Sequence, residues 1–570
     1  MISILIQCFL VILAGLGLFR LWRATHSSSR WINNLIAAGL LARALFGQLL
    51  FWISYLRLPF ARSMQMGNGF WFFGSDGALE YFPTAAALAH SGLRAIIEYP
   101  TSAASTGFVK VLALTVLLFG AVGSVALVLN LFCYLGTMVI IVRWGEREPR
   151  ARLASAIAIA ALSLSPACFL WSLQPLKDTF FQFIVIAFIA ACAAWQRTWA
   201  VAGAPLREAL WSGTTMVVTL LAIAAVRWYF AFALLAAMTM FLFFVAMMFG
   251  GRKVIAFSSG AVLLVLLSRA FLFGGGAYVP PAIKRALSPS TAIMEIIHLP
   301  SSILAYVETT RAGFDLVGGR TSIRLGPRFG TADHAPAANE DSSEVASVPP
   351  ASVTPEVAVI RGAPAAKPEP QPSNKAARAV AAPKPSPAAP VIAEKTIPTA
   401  AVRPAETGTA PIPTTTNAVQ RGAKRRAAAA RAAARPGMAR EVIVGRLVSG
   451  VAAVVLPRSL GEHLGLFHIG GGQGMFWFTE IDTILFDFII LCAAIAVVSQ
   501  GLLSWRNPLL WLLGVITVLA GVPLGYIITN YGTLFRLRAT VFVALALIPL
   551  ALATSVRRDP KPALSTPPAS

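Results

Sequence analysis

Charge is scarce in this chain. Only 12% of its residues are Asp, Glu, Lys or Arg, against about 25% in a soluble globular domain. That scarcity excludes a single core wrapped in a water-solvated surface. Cysteine is also scarce. Cys8, Cys133, Cys168, Cys192 and Cys492 all fall inside apolar runs, where they read as small core residues and not as a disulfide framework. No CxxC, no HExxH and no His/Cys cluster occurs, so nothing argues for a zinc site. No cofactor is expected, with a divalent metal left open. The first apolar run lacks a basic leader and an A-x-A-like site, so no cleavable signal peptide is expected. Acid is the rarer charge, 24 residues against 47 Lys and Arg, for a net charge of +23. No nucleic-acid module accompanies that excess, and nucleic acid is not an expected partner. Finally, residues 331–440 hold no Phe, Trp, Tyr or Cys. Such a stretch cannot bury enough apolar area to offset its chain entropy, and it is predicted to be a disordered linker.

What is abundant is apolar sequence: 57% hydrophobic, with a mean hydropathy of +0.71. Eleven runs are long enough, or nearly so, to cross a bilayer: 2–20, 33–56, 122–143, 153–172, 178–196, 208–226, 228–250, 254–273, 482–503, 508–529 and 537–555. A hydrocarbon core takes about 20 helical residues to cross, and it offers the backbone no water, so these runs are predicted to be helices. The predicted class is an all-α, polytopic integral membrane protein in a lipid bilayer. The run 107–120 is short and ends in Gly120, and it reads as a re-entrant or interfacial segment.

Short basic loops stay in the cytoplasm. Arg20, Arg23 and Arg30 follow the first run, which places the N-terminus outside. Alternation from there puts Arg143, Arg147, Arg150, Arg152, Arg197, Arg207, Arg252, Lys253, Arg506 and the Arg557–Arg558–Lys561 tail on the inner side. The expected layout is 1–56, two spans; 57–121, a first outer loop; 122–273, a helix bundle; 274–330, an outer segment; 331–440, the linker; 441–481, an outer or interfacial segment; 482–555, the C-terminal spans; and 556–570, a cytoplasmic tail. The linker ends in a basic tract (Arg421, Lys424, Arg425, Arg426, Arg431, Arg435, Arg440). That tract reads as a solubilising stretch or as a helix lying on anionic lipid or acidic polysaccharide.

Charges on the outer side are not explained by topology, and they are the candidate site. Asp76 and Glu80 lie in the first outer loop beside Phe72, Phe73 and Tyr81. A partly desolvated carboxylate there suits general-base work; equally, Ser75 or Asp76 can cap a short helix over 77–91. Lys177 and Asp178 sit at a tight corner after Pro166, Trp171 and Pro175. The lysine can meet a lipid phosphate as a point charge, or it can snorkel beside its neighbour's carboxylate. Arg227 interrupts two apolar runs, and Arg536 and Arg538 open the last one. Guanidinium groups fit phosphate oxygens bidentately, so Lys177, Arg227, Arg536 and Arg538 read either as a cationic cradle for a lipid phosphate or as separate interfacial anchors. Residues two apart on a helix do not share a face, so Arg536 and Arg538 are expected to point differently. Near Gly470–Gly474, Glu480 and Asp482 either balance these arginines or begin a helix.

The order of these features resembles that of the bacterial C-type membrane glycosyltransferases (the GT-C fold). The resemblance covers about residues 65–200. It rests on Asp76 with Tyr81, the Ala85–Ala89 run and Gly92; on Leu118–Phe119–Gly120; on Asn130, Tyr134 and Arg143 in one span; and on the Pro–Trp–Ser corner with Lys177. It implies a catalytic aspartate in the first outer loop (Asp76, with Glu80 in reserve) as base on an acceptor hydroxyl. Lys177, Arg227, Arg536 and Arg538 would then hold the phosphate of a polyprenyl-phosphate-linked sugar. The implied acceptor is a glycan or glycolipid, and the implied site is the periplasmic face of the inner membrane. The acids depart from the family's adjacent pair, since three residues separate them. Two other readings stand beside it: a polysaccharide polymerase or ligase acting on lipid-linked oligosaccharides, and a non-enzymatic export or assembly protein.

Overall fold

A computed structural model describes residues 2–99, 105–200, 205–248, 259, 260, 262, 311, 323–325, 440–470 and 476–554. The described chain is mostly helical, with two short strand pairs. Helices α1 (Ile2–Ala24) and α2 (Arg30–Tyr55) are followed by a loop holding β1 (Gln65–Gly67), β2 (Phe70–Trp71), α3 (Phe82–Ser91) and α4 (Leu93–Glu98). Next come α5 (Thr106–Phe119), α6 (Val125–Gly145), α7 (Arg152–Leu164), α8 (Pro166–Trp171), α9 (Asp178–Ala200), α10 (Leu206–Val226) and α11 (Trp228–Met248). After β3 (Ile323–Leu325), the C-terminal part holds α12 (Arg440–Val455), α13 (Arg458–His463), β4 (Phe467–Ile469), α14 (Phe476–Gln500), α15 (Pro508–Ile527) and α16 (Tyr531–Ala553). β1 pairs antiparallel with β2, and β3 with β4 through Arg324 opposite His468.

Among the described residues nine helices are long and apolar enough to span a membrane: α1, α2, α6, α9, α10, α11, α14, α15 and α16. The chain is therefore an all-α multi-pass membrane protein. The expected run 254–273, the segment 274–330, the linker 331–440 and its basic tract lie wholly or almost wholly outside the described residues. The run 153–172 is not one helix. It breaks between α7 and α8 because Pro166 has no N–H to donate and its ring disfavours helical backbone at Ser165, which is extended (ψ 120°). Apolar content carries across that point, and so the hydropathy of the run gives no sign of the break.

Hydrogen bonds show how the helix ends line up. Trp144 Nε1 donates to Thr554 Oγ1 (3.0 Å), Gln196 Nε2 to Asn507 Oδ1 (3.2 Å), Asn507 Nδ2 to the Ala551 carbonyl (3.0 Å) and Gln500 Nε2 to the Leu552 carbonyl (3.0 Å). One end of the bundle thus gathers the C-termini of α6, α9, α14 and α16 with the start of α15. At the opposite end, Asn130 near the start of α6 donates to the Ser172 and Gln174 carbonyls (2.8 and 2.9 Å) just before α9. The last helix, α16, is buried along most of its length and forms the axis of the bundle, whereas α1 lies on its outside. α12 and α15 cross backbone to backbone. A Cβ on Gly450 would overlap the Gly525 carbonyl, so that crossing requires glycine.

Candidate functional site

At the second end, four ionised side chains form a continuous ladder. Asp76, on the turn before α3, accepts from Arg536 Nη1 at 2.5 Å. Arg536, in the first turns of α16, donates through Nε to Asp178 Oδ2 at 2.7 Å. The other oxygen of Asp178, the first residue of α9, receives Arg227 Nη2. Arg227 occupies the single non-helical residue between α10 and α11 and also reaches Thr540 Oγ1 at 3.4 Å. Its guanidinium lies 4.4 Å from the centre of the Phe181 ring. Exposure falls along the ladder. The Asp76 side chain is 48% exposed and that of Arg536 13%, while Asp178 and Arg227 are each 3% exposed. The bundle therefore presents one carboxylate to its surroundings and buries the rest.

Lys177 stands beside the ladder without joining it. Its ammonium donates to Ser105 Oγ and lies 5.4 Å from the centre of the Tyr81 ring. Burial lowers the lysine pKa to about 7, helped by the nearby positive charges of Arg227 and Arg536. Burial also raises the Tyr81 hydroxyl above its ordinary range. With Lys177 charged, the cluster holds three cations against the carboxylates of Asp76 and Asp178. An anion placed here would meet that excess. A low-dielectric setting strengthens such an attraction well beyond its value in water.

The corner 172–177 is the bed on which the Asp76 loop rests. Gln174 Oε1 accepts the Trp71 N–H at 3.3 Å. A Cβ on Gly77 would stand 2.7 Å from the Pro175 carbonyl oxygen, so only glycine lets the turn after Asp76 approach the corner this closely. Asn130, by holding the Ser172 and Gln174 carbonyls, fixes the same corner from α6. Asp76 makes no capping hydrogen bond to the helical turn that follows it, and its carboxylate turns to Arg536 instead. Glu80 is exposed, and its carbonyl accepts from Thr84 Oγ1 at 2.7 Å.

Of the expected residues, the structure brings Asp76, Lys177, Arg227 and Arg536 together and places Arg538 elsewhere. Arg538 faces the other side of α16, 2% exposed, and pairs with Asp482 Oδ2 at 2.7 Å. It also donates to Thr483 Oγ1 (2.8 Å) and the Val454 carbonyl (3.2 Å). Asp482 in turn accepts from Ser165 Oγ (2.5 Å) and from the Ala167 N–H (3.2 Å), closing the α8 side of the break, where a helix N-terminus is open. The α7 side, where a helix C-terminus is open, is closed by Arg43 of α2, which donates to the Leu162 (3.1 Å) and Ser163 (3.4 Å) carbonyls and stacks 4.2 Å from the Tyr134 ring centre. Inside a bilayer each backbone group freed by a helix break needs such a partner. Glu480 accepts from the Ser459 N–H and hydroxyl at 2.9 and 3.1 Å.

Sequence reasoning missed Thr540 as a partner of the ladder, Ser105 as the partner of Lys177, and Arg43. A lone arginine in the middle of the 26-residue α2 is the one signal that pointed to the last of them. No family model, curated protein or solved structure matches the chain.

Proposed function

We propose that the Asp76 cluster is the active site of a membrane glycosyltransferase of the GT-C type, acting in the assembly of a cell-surface polysaccharide or glycolipid. The donor is a polyprenyl-phosphate-linked sugar and the acceptor a glycan or glycolipid hydroxyl. The observation that carries this reading is the half-exposed Asp76 carboxylate bonded to Arg536 at the rim of a buried cluster that, with Lys177 charged, has one cation in excess. In this reading the donor phosphate takes Arg536 away from Asp76 and also meets Lys177. The freed carboxylate accepts the acceptor's hydroxyl proton as the new O–C1 bond forms. The bond from C1 to the phosphate oxygen breaks, and the added negative charge on the leaving polyprenyl phosphate falls on Arg536 and Lys177. Arg227 and Asp178 hold Arg536 in place from below.

The same reading orients the molecule. Arg143, Arg147, Arg197 and Arg506 flank the end of the bundle that carries Trp144, Gln196 and Asn507, so that end faces the cytoplasm and the ladder faces the periplasm. The N-terminus is then outside and the C-terminus inside, in a bacterial inner membrane. A transporter would leave the ends of a broken helix open to its cargo. Here Arg43 and Asp482 fill both, which favours the enzyme. The test is transfer from a synthetic polyprenyl-phosphate sugar by purified protein in nanodiscs. Release of polyprenyl phosphate by wild type and its loss in Asp76→Asn, with Asp76→Glu partly active, supports the reading. Equal turnover in Asp76→Asn removes Asp76 from the chemistry.

A further inference from the structure

Asp76 is the first acidic residue of the chain, so Arg57 and Arg62, in the loop between α2 and β1, have no carboxylate in their own segment. Both are exposed, and among the described residues neither side chain forms an ion pair or a hydrogen bond. The loop itself is fixed. Gln65 Nε2 donates to the Leu58 (2.8 Å) and Phe60 (2.5 Å) carbonyls, and the Leu58 N–H donates to the Ile53 carbonyl (3.0 Å). Ser54 Oγ donates to the Phe70 carbonyl (2.6 Å) and Trp71 Nε1 to the Leu50 carbonyl (2.8 Å), which ties this end of α2 to the strand leading to Asp76. What surrounds the loop follows from α2. Leu41, Leu45, Leu49, Trp52 and Leu56 recur every three to four residues, each 50–59% exposed, as one stripe turned away from the bundle. On a membrane-spanning helix that stripe is covered by lipid. The 26 residues of α2 rise about 39 Å against a hydrocarbon core of about 30 Å, so its last turn, with Trp52 and Tyr55, stands at headgroup level. The apolar row continues past the helix end into Leu58 (42% exposed) and Phe60 (64% exposed).

We propose that the loop from Leu56 to Gln65 binds anionic phospholipid: Arg57 and Arg62 hold headgroup phosphates while Leu58 and Phe60 enter the acyl boundary. A guanidinium fork fits phosphate oxygens bidentately. Two such forks with no acid beside them favour a lipid of net negative charge over a zwitterionic one, by about fivefold for each arginine. Lipid is the occupant because the loop's apolar side chains extend the stripe of α2 that already faces the bilayer. A protein partner seated here would have to displace that lipid and would need acids of its own to meet the arginines. The proposal is independent of the glycosyl-transfer reading and of which side of the membrane the loop faces.

The test uses the full chain in liposomes, its five native cysteines replaced and one labelling site introduced by Phe60→Cys. A nitroxide at that site is expected to be relaxed by oxygen, which dissolves among acyl chains, well above a water-soluble nickel chelate. A fluorophore at the same site reads the adjoining lipid through quenching by nitroxide-labelled phosphatidylglycerol or phosphatidylcholine at equal mole fraction. Phosphatidylglycerol is expected to be favoured by about five- to twenty-five-fold. Arg57→Gln or Arg62→Gln is expected to lower that preference by up to about fivefold, and the double variant to abolish it. Replacing both by lysine, which keeps the charge without the fork, is expected to retain part of it. Three results would each overturn the proposal: a label reached by nickel more than by oxygen, a label shielded from both as a second copy of the chain would shield it, or equal quenching by the two lipids. A preference unchanged in the double glutamine variant would do the same.

Discussion

Asp178→Asn is expected to be among the costliest single substitutions in the molecule, and its cost is expected to be less than additive with that of a second change. Asp178 gives one oxygen to Arg227 and the other to Arg536, and both Asp178 and Arg227 are 3% exposed. An amide at position 178 can turn its oxygen to only one of these arginines, and its NH2 then confronts the other, donor against donor. If it serves Arg536, Arg227 is left buried and charged, with the Thr540 hydroxyl at 3.4 Å and the face of Phe181. Removing one member of a buried ion pair costs about 3–5 kcal/mol. That is a large part of a typical total stability of about 5–15 kcal/mol. Arg227→Met alone costs less, because Asp178 keeps Arg536. In the double variant the amide oxygen serves Arg536 and its NH2 faces a thioether, so no buried charge is stranded. The double variant is therefore expected to be more stable than the sum of the single losses by about 1–3 kcal/mol. Unfolding of the protein in mixed micelles at rising SDS fraction, followed by tryptophan fluorescence, measures all four corners of the cycle. Additivity within about 0.5 kcal/mol would mean that Arg227 and Asp178 are not energetically coupled, and the ladder as drawn would be wrong.

Two further predictions bear on neighbouring residues. The Lys177 pKa is lowered to about 7, so the side chain is charged below that pH and increasingly neutral above it. Affinity for a polyprenyl-phosphate sugar, measured by thermophoresis, is expected to weaken as pH rises from 6.5 to 8.5, by up to about tenfold per unit if one full charge is lost. In Lys177→Arg, which stays charged throughout, the profile is expected to be flat, and a sloping profile in that variant would remove Lys177 as its cause. Arg43→Ala strips the Leu162 and Ser163 carbonyls of their donor inside the bundle and is expected to cost about 2–4 kcal/mol in the same SDS unfolding. A midpoint equal to wild type would show that the break between α7 and α8 does not depend on Arg43.

How much of this was legible in the sequence follows from what each residue depends on. The spans were legible because a bilayer dictates a long apolar run, and α6, α9, α10, α14, α15 and α16 each lie within a few residues of such a run. The break at Ser165 lay in the sequence as Pro166, but the apolar residues on either side outweighed it. Asp76, Lys177, Arg227 and Arg536 stood out because a charge at the outer edge of an apolar run has no topological reason to be there. Their partnership was not legible. Asp76 and Arg536 lie at opposite ends of the chain, and only the packing of α9 against α16 makes Asp178 the common partner of Arg227 and Arg536. Arg538 shows the limit most clearly. Its chemistry is that of Arg536, and a shift of two residues around α16 carries it from the ladder to Asp482 and the support of a broken helix.

The measurement that bears most directly on the central claim is a surface-glycan profile of a deletion strain complemented with wild type or with Asp76→Asn, at matched membrane levels of the two proteins. Loss of the glycan in the deletion and in the Asp76→Asn strain, with full recovery by wild type, is the result the account predicts. Recovery by Asp76→Asn equal to wild type would contradict it, since the chain would then serve the surface without using Asp76 as a base.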